Sequence, residues 1–194
     1  MCNVYRPPGP IDVSLHFRVN TRERLWPGSV HPRSPGPFIR RAVEDTGYSR
    51  ELVVGQWALI PPWAKDSKLK YSTNNARSEE ITSKASYKDV WAKGQRCIIP
   101  AANFDEPNWE SGKNVWWRFQ RVYGRPWALA SLWNTWLDRT SGEVHEGNQG
   151  AISVTGRSKV PSALLQIGWD REYGGNISWS ALASPHSAAQ RLIA

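Results

Sequence analysis

The sequence predicts an α+β domain built mainly of antiparallel β-strands, with a curled, barrel-like sheet and a few short helices. Two observations lead to this prediction. Strand-like stretches rich in aromatic and β-branched residues follow one another and are separated by short Gly-containing turns, which is typical of hairpins. Only one long segment, 79–95, spaces its apolar residues at helical intervals. A length of 194 residues fits a single domain over 1–194, large enough to bury a core.

The elements can be predicted in chain order from local patterns. Residues 1–40 are expected to be rich in loops because Pro and Gly recur in them. A short helix or turn is predicted within 41–52. A strand is predicted within 52–63 and should stop at Pro61-Pro62, since proline cannot donate to a strand ladder. The helix within 79–95 should end at Gly94. Further strands are predicted within 96–109, 114–122, 126–138 and 151–156, and a helix or turn within 160–169.

Composition limits the class of partner. The chain has 25 Lys and Arg against 17 Asp and Glu, a net charge of +8, and 12 tryptophans. The basic excess favours a polyanion, usually nucleic acid, and spare indole faces could stack on unpaired bases. No apolar run approaches the roughly 20 residues of a membrane span, and the start does not read as a signal peptide. We therefore expect a cytoplasmic protein, monomeric and without a membrane partner.

Cysteine usage points to the N-terminus. Cys2 and Cys97 are the only cysteines, so neither a disulfide framework nor a metal site is predicted, and no cofactor is expected. Cys2 directly follows Met1, the only methionine. If Met1 is removed, Cys2 presents an α-amine and a thiol on adjacent carbons, which no internal cysteine offers. The alternative is that Cys2 is a small hydrophobic residue at the start of an edge strand.

Three further groups of residues are candidates for chemistry. The polar stretch 72–80 carries Asn75 and Arg77, suited either to a site or to capping a helix. Glu106 follows an apolar strand among aromatic residues, where burial would suit a carboxyl group to general acid–base use; the alternative is a strand-end carboxylate at the surface. The third group is basic and aromatic, and each member taken singly could equally belong to the surface or the core. Its members are Trp63, Lys65, Arg77 and Trp109.

Together these motifs are far more specific than any one of them. An N-terminal Met-Cys, a "W.L.P.W" strand end, "NAR.E", and "C.IPA..F.E" ending in an acidic residue occur in this order. The chain thereby resembles the SOS-response-associated peptidase (SRAP) family over roughly residues 1–140, although the usual "MCGR" start is "MCNV". Members of that family process abasic sites in single-stranded DNA, so the resemblance implies a DNA-damage enzyme with peptidase or lyase-type activity.

The resemblance also implies roles for individual residues. Cys2 would bond to the aldehyde of an abasic site through its amine and close a thiazolidine ring with its thiol. Asn75 would help hold the sugar-derived part and the N-terminus, and Glu106 would move protons and take part in removing Met1. Arg77 would bind phosphate. Trp63, Lys65 and Trp109 would contact the DNA, with Trp109 displaced because "EPNW" separates it from Glu106 by two residues.

The resemblance weakens after residue 146. The family has a catalytic histidine in an "H.RMP" segment, and Arg157 stands at the comparable place, with His145 just upstream. Two other functions stay open: an N-terminal-nucleophile amidohydrolase that uses the Cys2 thiol as nucleophile, and a non-enzymatic single-strand binder in which Cys2 has no role.

Overall fold

The computed structural model describes residues 3–45, 47, 49–67, 69–109, 111–121, 123–137, 149–155 and 187–191. The helices within them are α1 (Pro10–Phe17) and α2 (Ala85–Ala92). The strands are β1 (Val4–Arg6), β2 (Pro35–Arg41), β3 (Arg50–Gln56), β4 (Asn75–Arg77), β5 (Arg96–Ala101), β6 (Asn103–Asn108), β7 (Val115–Arg121), β8 (Trp127–Thr135), β9 (Gln149–Thr155) and β10 (Ser187–Arg191).

The strands form two sheets. One has four strands in the order β1-β6-β7-β10, and the other has six in the order β3-β2-β5-β8-β9-β4. All pairings are antiparallel except those of β9 with β4 and β3. The six-stranded sheet curls, so that its edge strand β3 also pairs with β9, where Gln56 lies opposite Gly150. The predicted α+β class with mainly antiparallel strands is confirmed, but the sheets do not close into a barrel.

The six-stranded sheet lies between two apolar layers because side chains alternate across it. On β5, Ile98 belongs to one layer, while Cys97 and Ile99 belong to the other. The first, which we call the helix-side layer, packs the sheet against α1 and α2 and comprises Val13, Phe17, Val19, Trp26, Ile39, Leu59, Ala76, Ile81, Tyr87, Val90, Ile98, Ala130 and Leu132. The second, the inter-sheet layer, packs it against the four-stranded sheet and comprises Tyr5, Val30, Phe38, Trp57, Cys97, Ile99, Ala101, Phe104, Phe119, Trp127 and Leu129.

The central strands lie where the sequence predicts them. The stretch 96–109 divides into β5 and β6, and β7, β8 and β9 fall in the next three predicted segments. The turn after β6 contains Gly112 with φ of 73°, a left-handed conformation that costs glycine little. The helix predicted within 79–95 is confirmed as α2, which begins at Ala85, and Gly94 follows it with φ of 68°.

The prediction for residues 1–40 was wrong in part. Pro10 does not interrupt the chain but begins α1, since proline is tolerated in the first helical turn, where its missing N–H has no intrahelical partner. Strand β2 begins at Pro35. It pairs with β3 along its length but with β5 only at Ile39 and Arg40, so its prolines lie where β2 has one neighbour.

Two other boundaries differ from the prediction. Strand β3 ends at Gln56 rather than at Pro61, because the next residue, Trp57, exchanges backbone hydrogen bonds with Arg33 and Ser34 instead. The segment 41–52, predicted as a short helix or turn, contains the last residue of β2 and the first three of β3, and the prediction is wrong for those residues. Strand β10 was not predicted, and the segment 160–169 lies outside the described residues.

Candidate active site and nucleic-acid interface

Glu106 is buried at the edge of the inter-sheet layer. Its strand, β6, lies between β1 and β7, and its register places Phe104 opposite Phe119 and Glu106 opposite Trp117. Because residues two apart share a face, Glu106 follows Phe104 on the side of β6 that faces the aromatic layer. Only 6% of Glu106 is exposed. The alternative of a surface carboxylate is therefore wrong, and a buried carboxylate among aromatic rings is what the structure contains.

Strand β1 runs antiparallel beside this part of β6. Val4 lies opposite Asp105, and the antiparallel direction of β1 points its N-terminal end toward the Glu106 end of β6. Tyr5 anchors the strand: it is 1% exposed, its ring meets that of Trp57 edge-on with centroids 5.0 Å apart, and its backbone exchanges hydrogen bonds with Val30. Met1 and Cys2 lie outside the described residues, so the predicted meeting of Cys2, Asn75 and Glu106 in one pocket stays a prediction.

The second cysteine is chemically inert. Cys97 lies fully buried in the inter-sheet layer. Burial raises the pKa of its thiol well above the ordinary value, although the nearby Arg40 acts in the opposite direction. A protonated, inaccessible thiol is neither a nucleophile nor a metal ligand. Any thiol chemistry of this chain therefore falls to Cys2.

Asp105 lies on the opposite, outer face of β6 and joins three strands. Arg6 on β1 donates to one of its carboxylate oxygens over 3.0 Å, and Arg118 on β7 donates to both over 2.9 and 3.2 Å. Burial alone would raise the pKa of the Asp105 carboxyl, but the hydrogen bonds from Arg118 and Arg6 outweigh it and hold the pKa below its usual value. The carboxylate is thus charged at neutral pH and ties β1 to β6 and β7.

Asn75 begins β4, which is held from two sides. Backbone pairing to β9 runs parallel from Asn75 opposite Ser153, and the hydroxyl of Tyr87 on α2 donates to the Asn75 carbonyl oxygen over 3.2 Å. Burial, followed by the proximity of Tyr71 and Glu80, raises the pKa of Tyr87 to about 12, so the hydroxyl keeps its proton and remains a donor. Sequence reasoning missed this support, because it assigned no role to Tyr87 within the predicted helix.

Arg77 shares the face of β4 that Asn75 occupies, while Ala76 between them faces the helix-side layer. Its guanidinium is exposed and lies 3.5 Å from a carboxylate oxygen of Glu80. Such a surface ion pair is worth little, so a phosphate could replace it at small cost. The alternative that the stretch 72–80 caps a helix is wrong, because the N-cap of α2 is Lys84.

Trp63 and Lys65 lie on a loop after β3 that is firmly attached to the rest of the fold. Trp63 is 52% exposed, which excludes a core role for its indole. Three side chains donate to backbone carbonyls of the loop: Thr73 to Leu59 over 2.7 Å, Asn134 to Ile60 over 2.7 Å, and Trp136 to Ala64 over 3.2 Å. The loop thus presents an indole to solvent from a fixed base, with the exposed Lys65 two residues further on.

Trp109 follows β6 and is 63% exposed. Across the hairpin, Trp116 is also exposed and stands opposite Pro107. Trp116 was missed by sequence reasoning, although alternation along β7 would place it opposite to the buried Phe119. The two indoles flank the strand end that carries Glu106.

The structure does not test which residue stands in for the family's catalytic histidine, because His145, Arg157 and His186 lie outside the described residues. His16 on α1 and His31 before β2 are both exposed. Among the described residues, no group of three or more His, Cys, Asp or Glu side chains could hold a metal ion. In the same part of the chain, neither helix is long and apolar enough to cross a membrane.

Comparison with known proteins gives consistent matches. Residues 14–159 match the model of the SOS response associated peptidase (SRAP) family. The chain is 33% identical over 164 residues to the abasic site processing protein YoqW of Bacillus subtilis. This alignment covers 82% of this chain and 68% of YoqW. It is 29% identical over 193 residues to the abasic site processing protein HMCES of Xenopus tropicalis, covering 89% of this chain but only 53% of HMCES.

Solved structures give the same picture of the fold. A protein from Bordetella bronchiseptica superimposes with a TM-score of 0.70 at 28% identity, covering 99% of this chain and 84% of that one. A protein from Bacteroides thetaiotaomicron superimposes with a TM-score of 0.76 at 19% identity, covering 99% and 92%. The second likeness concerns the fold alone. The family match begins at Ser14, so neither Cys2 nor strand β1 lies within it.

Proposed function

This chain belongs to the SOS response associated peptidase (SRAP) family, and from that premise we propose that it binds single-stranded DNA and bonds covalently to abasic sites through Cys2. The relatives YoqW and HMCES are named as abasic site processing proteins, which supports the substrate class. The net charge of +8 supports a polyanionic partner.

One observation carries the proposal for the reactive group: the buried Glu106 lies beside the strand that leads back to the N-terminus. Only Asn3 stands between Cys2 and Val4 in the chain, so covalent geometry keeps the Cα atoms of Cys2 and Val4 within about 7 Å of each other. Val4 in turn pairs with Asp105, the neighbour of Glu106. A proton acceptor and the N-terminal amine are therefore expected within a short reach of each other.

The chemistry follows from the 1,2-aminothiol that Cys2 presents after hydrolysis of the Met1–Cys2 peptide bond. An α-amino group has a pKa of about 8 and is partly neutral at pH 7. Its nitrogen adds to the aldehyde carbon of the opened sugar, and loss of one water gives an imine. The thiol sulfur then adds to the imine carbon, its proton passes to the nitrogen, and a five-membered thiazolidine closes. Glu106 accepts and returns the protons of the addition and dehydration steps.

The remaining candidate residues bind the DNA strand on either side of the reacting sugar. Arg77 offers a planar, charged fork to a phosphate, and Asn75 beside it on β4 offers an amide to the sugar-derived part. Trp63 and Trp109 offer exposed faces on which bases can stack, with Lys65 adding charge to the same surface.

The proposal is tested by intact mass after mixing the protein with an oligonucleotide that carries one abasic site. We expect a stable adduct with the wild-type chain lacking Met1. Cys2→Ala should form none while keeping salt-dependent affinity for the DNA, because affinity comes from phosphate and stacking contacts. Cys2→Ser should give at most a weak imine-type adduct, since a hydroxyl closes the ring less well than a thiol.

The matched control is Cys97→Ala, which removes the other thiol and should leave the adduct intact. A full adduct with Cys2→Ala would overturn the mechanism. Hydrolysis of glutamine without any adduct would instead favour the amidohydrolase, and salt-sensitive binding alone would favour a non-enzymatic single-strand binder.

A further inference from the structure

The outer face of the four-stranded sheet carries a charged cluster that the chemistry above does not use: Asp105 with Arg6 and Arg118. The Asp105 side chain is 10% exposed, against 31% for Arg6 and 27% for Arg118. Arg6 makes an additional hydrogen bond of 3.0 Å to the side-chain oxygen of Asn103, two residues before Asp105 on β6. Two cations thus converge on one nearly buried carboxylate from the strands on either side of β6.

The location of this cluster is more informative than its presence. Asp105 and Glu106 are consecutive on β6, so their side chains lie on opposite faces of the sheet. Asp105 also pairs directly with Val4 on β1, two residues after Cys2. The ion pair between Arg6 and Asp105 therefore constrains β1 within a few residues of Cys2 in the chain, and it does so at the residue next to Glu106.

Strand β1 needs such a fastening because it is short. It contributes three residues that pair with β6, and Tyr5 also exchanges backbone hydrogen bonds with Val30. So few backbone pairs give little resistance to slippage. Tyr5 fixes its inner face by packing against Trp57. On the outer face, the bonds from Arg6 to Asn103 and Asp105 fix the strand along its length, and Arg118 holds the carboxylate in place from the other side.

We infer that Asp105 is a positioning residue for the N-terminal nucleophile: with Arg6 and Arg118 it locks the register of β1 against β6 and so sets the distance between the N-terminal amine and Glu106. The inference rests on the proposed covalent capture of abasic sites and names what orients its reactive group. Asp105 does not touch DNA in this account; it acts through β1.

The test separates the rate of capture from the amount of folded protein. Single-turnover capture of an abasic oligonucleotide at saturating DNA gives a first-order rate constant and an amplitude. Asp105→Asn should lower the rate constant by about tenfold, as expected for a small misplacement of a reacting group, while the affinity for the oligonucleotide stays within twofold of the wild type. A purely structural role would lower the amplitude and leave the rate constant of the remaining folded molecules unchanged, and that result would overturn the inference.

Two further variants make the test specific. Asp105→Glu keeps the charge and should recover part of the lost rate; a rate as low as that of Asp105→Asn would count against a role for the ionic contacts. Glu51→Gln breaks the 2.6 Å ion pair of Glu51 with Arg40 in the other sheet and should leave the rate constant at its wild-type value. If the wild-type chain forms no adduct, the proposed function itself fails. An adduct that forms equally fast with Asp105→Asn overturns only the positioning role.

Discussion

The two apolar layers on either side of the six-stranded sheet differ in composition and in what they support. The inter-sheet layer is rich in aromatic residues, with Phe104 stacked on Phe119 at 5.2 Å and Tyr5 against Trp57. The helix-side layer is mainly aliphatic and lies under the two helices. The aromatic layer borders Glu106 and the N-terminal strand, where a reaction is proposed, whereas the aliphatic layer underlies Asn75 and Arg77, where DNA binding is proposed.

This difference is consistent with a separation of the two proposed tasks within the fold. Large rings bury a great deal of apolar area with few rotatable bonds, so a carboxylate beside them is held in a dry, fixed environment. The strand that carries Asn75 and Arg77 instead lies at the edge of its sheet, and the Arg77 side chain on it is exposed. The comparison predicts that changes near the aromatic layer alter the rate of capture, while changes on the exposed loop and on β4 alter affinity.

The largest effect is expected from Glu106→Gln, which keeps the shape of the side chain but cannot accept a proton. The rate of adduct formation should fall by about 10²–10⁴-fold, the usual contribution of a general acid–base group, with little change in DNA affinity. Single-turnover capture measured beside equilibrium binding checks both. A wild-type rate for this variant would remove Glu106 from the mechanism.

Phe104→Ala should destabilise the protein by about 3–5 kcal/mol, because it leaves a large cavity in the aromatic layer. Its matched control, Leu132→Ala in the helix-side layer, should cost about 2–5 kcal/mol. Denaturant unfolding measures both losses. The capture rate per folded molecule distinguishes the two layers. It should fall for Phe104→Ala alone, since only that side chain lies two residues before Glu106. Equal rates for the two variants would mean that the layers do not divide the tasks.

Trp63→Ala should weaken single-strand affinity by about 1–3 kcal/mol if the indole stacks on a base. Tyr123→Ala, which removes another aromatic ring that is 86% exposed, should change affinity little. Fluorescence anisotropy with an undamaged oligonucleotide provides the measurement. If both variants lose the same amount of affinity, Trp63 contributes only as any exposed aromatic side chain would, and it does not belong to a specific DNA-binding site.

The smallest effect is expected from Arg77→Ala. It should weaken binding evenly across sequences and lower the slope of log affinity against log salt by about one unit, because one phosphate contact is lost. Lys84→Ala removes the cation at the N-cap of α2, which pairs with the same Glu80, and it should leave the slope nearly unchanged. A loss confined to one base sequence would indicate that Arg77 reads a base instead.

Much of the molecule follows from the sequence because local patterns determine it. Strand-like composition and turn residues predicted the segments that hold β5 through β9, and helical spacing predicted α2. The order of motifs around Cys2, Asn75 and Glu106 was enough to identify the family before any comparison. Prolines misled the prediction over residues 1–40, since their effect depends on position: Pro10 begins a helix, and Pro35 begins a strand at a place where that strand has one neighbour.

What only the tertiary structure decided depends on partners distant in the chain. The burial of Glu106 required β1 and β7 on its two sides, and the support of Asn75 required a hydroxyl from α2. The bond between Asp105 and Arg6 joins residues 99 positions apart. Sequence patterns report which face of an element is apolar, but a carboxylate acquires its neighbours only when strands from opposite ends of the chain pair, because hydrogen bonds and burial are properties of the assembled sheet.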